Sequence, residues 1–227
     1  MEKFEVIYNR AAERKGGAKA LEKLMPSIRS VKQLKSTSDR DYLSAMAMKI
    51  FQSGFVWKVV ENKWPGFEEV MWNLEPQKLA LASDEQIEKM AQDKRIIRNL
   101  TKVKAVRENA YLIKTVAKKY GSFGNYIADW PVDNIVGLWL ELKKQGARLG
   151  GNTGPYFLRT VGKDTFLLTR DVCAYLIGQG VVTKNPTSQR DLKAVQHAFN
   201  GLQQESGRHL SEISRIISCS IGENHLN

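Results

Sequence analysis

Two features of the sequence bring together residue types that could do chemistry. The first is the hairpin Leu149-Gly150-Gly151-Asn152-Thr153-Gly154, with Pro155 directly behind it. It is too rich in glycine for a helix interior. Glycine supplies the positive φ of a tight turn, and proline suits the first turn of the helix that follows. Such a turn presents bare backbone N–H groups at a helix N-terminus, which is a site for a phosphate oxygen, so Gly150, Gly151, Thr153 and Gly154 are expected to grip one. The second feature is Asp171, expected in the first turn of a later helix with Thr169 as its N-cap. The helix dipole favours the ionised carboxylate there.

Other residue types narrow the chemistry further. Arg95, Arg98, Lys102 and Lys104 form a basic cluster suited to tracking a phosphate backbone, with Arg98 and Lys102 the expected contacts. Lys and Arg number 35 against 24 Asp and Glu, a net charge of +11 that favours an anionic partner, nucleic acid first and a membrane surface second. Two cysteines, Cys173 and Cys219, are too few for a four-cysteine cluster or a Cys-rich zinc site, and read as reduced core residues. His197, His209 and His225 show no metal-ligand spacing, so neither a metal nor another cofactor is expected. No apolar run approaches the length of a membrane span, and the opening Met-Glu-Lys-Phe-Glu does not read as a signal peptide. The expected setting is the cytoplasm, at the nucleoid in a bacterium, and the expected state is a monomer without membrane contact.

The elements that must position these groups read as helices. Phe4 to Met25 is helical with a break at Gly16-Gly17, and Ser30 to Lys35 reads as a basic connector. Ser36 to Asp39 is a run of N-cap residues before a helix carrying Tyr42, Leu43, Met46, Ala47 and Ile50 at helical spacing. That helix reaches Gln52-Ser53-Gly54, and a second one starts near Val56. Trp64-Pro65-Gly66-Phe67 reads as a turn, and Ser83 to Gln86 as a capping box. Asp93 to Asn99 is irregular, Lys102 to Lys119 is a long basic helix ended by Gly121, and Ile135 to Arg148 leads into the hairpin. Helices over Gln189 to Gln204 and Leu210 to Ser220 close the chain. With no strand pair and no repeat, the expected class is all-α.

The hairpin followed by Asp171 resembles the helix-hairpin-helix DNA glycosylases, in which a Leu-Pro-Gly-x-Gly hairpin holds a DNA phosphate and an aspartate about twenty residues on serves the base pocket. Here the Pro and the last Gly of that hairpin are replaced. Phe51-Gln52-Ser53-Gly54-Phe55-Val56-Trp57 is similar to the Phe-Gln-Ala-Gly-Leu-Ser-Trp of the 3-methyladenine DNA glycosylase I (Tag) family. Asp93-x-x-Ile96-Ile97-Arg98-Asn99-x-x-Lys102, with Ala105 and Asn109-Ala110, matches that family's Asp-x-x-Ile-Ile-Arg segment. The resemblance spans about Met46 to Ala110 and the hairpin. The chain lacks the family's zinc-binding Cys and His residues and its Tyr-His-x-x-Glu-Trp-Gly stretch, and the glutamate that reads the modified adenine falls on Lys49.

What the resemblance implies is an all-α, two-lobed helix-hairpin-helix glycosylase over residues 1–227. The hairpin core would occupy about 36–185, and 1–35 with 186–227 would form a flanking lobe and a groove between the two. Its partner would be double-stranded DNA containing a damaged base. Trp57, Gln52, Tyr42 and Lys49 would line the base pocket, Gly54 and Phe55 would enter the duplex as a wedge, and Asp171 would be the catalytic carboxylate, with Asp164 in reserve. Between Pro155 and Gly162 the only cation is Arg159, and Lys163 comes after the helix end. A Schiff-base lysine is therefore not expected, and the expected enzyme is monofunctional. It would remove an alkylated purine of the 3-methyladenine kind and leave an abasic site. The alternatives are a non-catalytic helix-hairpin-helix DNA-binding module and a glycosylase for another lesion, deaminated, oxidised or mispaired.

Overall fold

Helix starts are written into the chain as side-chain caps. Ser38 accepts from the Asp41 N–H and opens the helix Asp39–Gln52, Ser83 and Gln86 form a reciprocal capping box ahead of Asp84–Gln92, and Thr169 accepts from Val172 ahead of Arg170–Gly178. In the computed structural model, residues 1–222 are described, and among them helices and turns account for all regular structure. His225 lies outside the described residues. No helix is long and apolar enough to cross a membrane among the described residues.

Contacts divide the chain into two units. The first is 29–130 with 138–163. Its centre is the helix Leu100–Tyr120, which Asn99 caps and Gly121, at φ +85°, ends. Its buried Val103, Val106 and Ile113 pack with Asp39–Gln52, Pro76–Leu79 and Phe123–Asp129. Aromatic rings lock this core: Tyr42 stands edge-on to Phe123 at 5.3 Å, and Phe51 to Phe67 at 4.5 Å. Each fully buried side chain of this kind contributes roughly 1.5–3 kcal/mol by leaving water.

The second unit joins residues 1–28, 131–137 and the chain from Asp164 onward. The helix Phe4–Arg14 packs on Leu210–Ser220, which also meets Arg170–Gly178 and Gln189–Ser206. Phe166 and Phe199 stack nearly parallel in its core, 4.1 Å apart.

The contact units run over other bounds than the core expected at 36–185, because segments distant in sequence pack together. Ser30 to Lys35 is not a connector: Ser30 and Gln33 cap each other and open the helix Val31–Ser36, which packs on Phe123–Asp129. That carries 29–35 into the hairpin's unit, where Arg29 N–H donates to Gly162 O at 2.9 Å. Residues after 163 instead join the terminal helices through Arg170–Gly178. Trp64 to Phe67 is likewise not a turn but the start of the helix Trp64–Val70, with proline in its first turn and Trp64 stacked 5.0 Å from Phe67.

Candidate functional site

The helix Asp39–Gln52 runs into a turn in which Gly54 holds φ +77°, a value glycine adopts without strain. Phe55 N–H donates to Gln52 O at 3.2 Å and closes the turn. The next helix, Trp57–Asn62, starts at once, so Phe55, Val56 and Trp57 are left exposed at 42, 68 and 45%. Three adjacent apolar side chains in water need something else to account for them.

This turn is held from below. Lys102, one turn into the helix Leu100–Tyr120, is 3% exposed, and its Nζ donates to Phe51 O at 3.2 Å and Ser53 O at 2.6 Å. The ammonium also lies 4.6 Å from the centre of the Phe55 ring. Burial, with Arg148 adding to it, pushes its pKa below the usual lysine value. Lys102 therefore supports the Phe55 turn from inside the protein and does not present its charge at the surface as the sequence reading expected.

Trp57 forms one wall of a cavity of about 170 Å³. Lys49 and Gln52 come to it from the end of Asp39–Gln52, Ser53 and Gly54 from the turn, and Asn152, Thr153 and Tyr156 from the hairpin and its helix. The Tyr156 ring stands perpendicular to Trp57 at 5.4 Å, and Lys49 Nζ sits 4.5 Å over the indole face. Lys49 donates to Gln52 Oε1 at 2.7 Å, and Gln52 Nε2 donates to Glu61 Oε1 at 3.3 Å. Gln52 is thereby fixed at both ends of its amide, with 3% of its surface exposed. Burial lowers the Lys49 pKa, and Glu61 offsets part of that.

The hairpin is equally well supported. Asn109, fully buried, donates from Nδ2 to Ala147 O at 3.0 Å and accepts the Ala147 N–H at 2.9 Å on Oδ1. Arg148 turns left-handed at φ +58°, and Gly151 does so again at the tip with open space around it. Gly154 lets the helix Thr153–Thr160 lie against the turn, since a Cβ there would fall 2.7 Å from Leu149 O. The N-cap residue of that helix, Asn152, makes no side-chain capping bond to the first turn. Its first turn therefore opens beside the Trp57 cavity, which Thr153 and Tyr156 line. Tyr156 and Asn109 carried no expected role in the sequence; the Asn109-Ala110 match was the only available signal for Asn109.

The structure thus brings Lys49, Gln52, Gly54, Trp57 and Thr153 around one cavity. Tyr42 is elsewhere: it is fully buried, its hydroxyl donates to Leu34 O at 2.8 Å, and burial pushes its pKa up to about 12. Arg95 spends its charge on Asp93 and Glu69, at 2.8 and 2.7 Å, and holds the Asp93 carboxyl down at about 2. Arg98 is exposed and pairs with no carboxylate among the described residues. Lys163 is buried and donates to Ala128 O and Trp130 O at 3.1 and 2.6 Å.

Asp171 and Asp164 belong to the unit formed by the two chain ends. Asp171 lies in the first turn of Arg170–Gly178, where Ser218 Oγ donates to its Oδ2 at 3.4 Å, and Gly222 approaches so closely that a Cβ would fall 2.7 Å from Oδ1. Asp164 is buried, and it accepts from Leu210 N–H at 3.1 Å and Ser211 N–H at 2.8 Å, with His209 Nδ1 3.2 Å away. That arrangement caps the helix Leu210–Ser220. Among the described residues no group of three or more His, Cys, Asp or Glu is placed to hold a metal ion.

The family model described as methyladenine glycosylase matches residues 33–158, the Trp57 cavity and the hairpin but neither aspartate. 3-Methyladenine DNA glycosylase I from Staphylococcus aureus is similar in structure at TM-score 0.50 and 21% identity, covering 56% of this chain and 77% of that one. The 8-oxoguanine DNA glycosylase of Methanocaldococcus jannaschii is similar over 94% of this chain and 92% of its own, at TM-score 0.57 and 14% identity. A second structure of that archaeal protein, described as a glycosylase/lyase, contains a 15mer DNA with 8-oxoguanine and is similar at TM-score 0.56 and 13% identity, over 94% of this chain and 95% of that one.

Proposed function

The chain belongs to the methyladenine glycosylase family, and from that premise we propose that it is a monofunctional DNA glycosylase of base-excision repair, acting on a flipped-out damaged purine in double-stranded DNA. Its all-α fold is that of the helix-hairpin-helix DNA glycosylases. The observation that carries the reading is Trp57. It is a large, half-exposed aromatic wall of a cavity that also takes Asn152, Thr153 and Tyr156 from the start of the hairpin helix, on a turn whose other exposed ring is Phe55.

In this reading the hairpin amides take one backbone phosphate, with Arg98 as a further backbone contact. Extruding the base costs a few kcal/mol, and Phe55 enters the stack in its place. Trp57 stacks on the extruded ring. Breaking the glycosidic bond leaves positive charge on the sugar, which an ionised carboxylate stabilises, and water adds to the anomeric carbon as the base departs. Asp171 is the carboxylate proposed for that role. The enzyme is monofunctional because the hairpin helix carries no lysine and the Lys163 ammonium is spent on two carbonyls.

Alkylated purines, with 3-methyladenine as the model, are the first substrates in this proposal, following the family. Lys49 favours a second reading, a carbonyl-bearing base such as 8-oxoguanine, because an ammonium donates to carbonyl oxygen. The test is a set of duplexes each carrying one lesion, assayed for released base and for strand breaks after alkali. The expected result is release from at least one lesion with the strand intact until alkali is added. DNA binding with no base released from any duplex would favour a non-catalytic binding module. A covalent adduct trapped by borohydride would overturn the monofunctional assignment.

A further inference from the structure

We propose that the Trp57 cavity selects an uncharged base bearing a carbonyl acceptor over a cationic N-alkylated one, and that Lys49 makes the selection. The inference rests on the reading of this cavity as the base pocket, and within that reading it favours the carbonyl-bearing bases of the second substrate reading over the alkylated purines of the first.

Three observations carry it. First, the face of Trp57 that would stack on a cationic ring already holds a cation, with Lys49 Nζ 4.5 Å from the ring centre. A positively charged base must either displace that ammonium or lie against it. Second, the residues lining the cavity include no carboxylate. The acid that touches this group is Glu61, which accepts from Gln52 Nε2 at 3.3 Å and is itself exposed. Third, an ammonium has three protons, and Lys49 commits one to Gln52 Oε1 at 2.7 Å. The others remain for an oxygen that enters the cavity. Gln52 is held at both ends, its oxygen facing Lys49 and its amide facing Glu61, so the charged donor of the pair is Lys49. The arrangement attracts oxygen acceptors and repels charge of its own sign.

The test compares two purines capped at N9 to stand in for the nucleoside: neutral 9-methylhypoxanthine and the permanently cationic 7,9-dimethyladeninium. Their binding to the full chain is followed by ligand-observed NMR for the wild type, Lys49→Met and Lys49→Glu, with circular dichroism melts to confirm folding. The wild type should prefer the neutral purine by about tenfold or more, Lys49→Met should bring the two within about threefold, and Lys49→Glu should reverse the order. A wild type that binds the cation as well as the neutral purine overturns the proposal, and so does a folded Lys49→Glu with an unchanged ratio. Parallel excision from duplexes carrying hypoxanthine or 7-methylguanine separates the two readings. Release with the cationic lesion preferred sinks the selection and leaves the glycosylase standing. Selective binding with no release from either duplex does the reverse, and binding of neither purine removes the pocket and both readings with it.

Discussion

Lys102 Nζ donates to the Ser53 carbonyl oxygen at 2.6 Å, from a side chain only 3% exposed. A charge is thus placed under the turn that presents Phe55 and Trp57, and the same ammonium reaches Phe51 O and the Phe55 ring. A lysine in this position costs desolvation, which is offset because it satisfies carbonyls at the end of the helix.

Lys102→Met keeps the length of the side chain and removes the donor. The carbonyls of Phe51 and Ser53 are then left unpaired, at a cost of about 1–3 kcal/mol. The variant is expected to lose that much stability in urea titration and, with the Phe55 turn no longer held, to flip and excise the base more slowly. A variant with wild-type excision would show that the turn needs no support from Lys102.

Trp57→Ala tests the pocket wall itself. The ring is 45% exposed and packs on Tyr156 and Lys49, so its loss should cost about 1–2 kcal/mol. Stacking on an extruded base is worth about 1–3 kcal/mol, so excision should fall by about 5- to 150-fold. Affinity for DNA that already carries an abasic-site analogue should change little, because no base is left to stack. Equal losses for both substrates would place Trp57 on the DNA backbone.

The difference between Lys102 and Trp57 shows what the sequence could and could not disclose. Local signals were readable: Ser38, Ser83 and Thr169 cap the helices they precede, and Gly54 and the hairpin stand where glycine demands a turn. Burial was not readable. Lys102 looks like one more cation beside Arg98, and only the packing of Leu100–Tyr120 against Asp39–Gln52 turns it inward. Tyr42 carries the residue type of a pocket wall and shares a helix face with Lys49, yet it sits about two turns away along that helix, where it packs in the core against Phe123 and Phe157. Trp64-Pro65 has the composition of a turn, but proline is equally at home at a helix start, and Phe67 finds both Trp64 and Phe51 to pack on. The unit boundaries depended on long-range packing that no local pattern encodes.

Tyr42→Phe separates core from pocket. It removes the hydroxyl that donates to Leu34 O, at a cost of about 1 kcal/mol at neutral pH, and should leave excision unchanged. The pH dependence has a definite sign. Burial raises the Tyr42 pKa from 10.0 to about 12, so the folded state favours the neutral phenol. The stability this confers is complete below pH 10 and is lost as pH rises to about 12. Phenylalanine has no proton to lose, so the wild type should decline relative to the variant across that window in alkaline denaturation. Parallel curves would mean that the phenol is free to ionise.

Asn109→Ala unpins the hairpin. Both backbone groups of Ala147 lose their buried partner, which should cost about 2 kcal/mol. Because the amides offered to phosphate sit a few residues further on, affinity for the abasic analogue should fall by about tenfold, the worth of one hydrogen bond to a charged group. Affinity equal to the wild type would mean that the hairpin keeps its shape without the clamp.

The two aspartates are distinguished by how fully their oxygens are engaged. Asp164 accepts two backbone N–H groups at the start of Leu210–Ser220 and meets His209 as well, so its carboxylate is committed to holding a helix end. Asp164→Ala strips that cap and leaves the amides unpaired, and should destabilise the protein by about 1–3 kcal/mol. Among the described residues Asp171 accepts one long bond, 3.4 Å from Ser218 Oγ, at the N-terminal turn of its own helix. Its remaining capacity is what the proposed catalytic role draws on. Asp171→Asn keeps the shape and removes the charge, and should leave melting temperature and DNA affinity near wild type while excision falls by about a hundredfold. If Asp171→Asn excises normally, charge stabilisation comes from another group. If it melts early with its excision per folded molecule intact, Asp171 serves only to bind the end of the last helix.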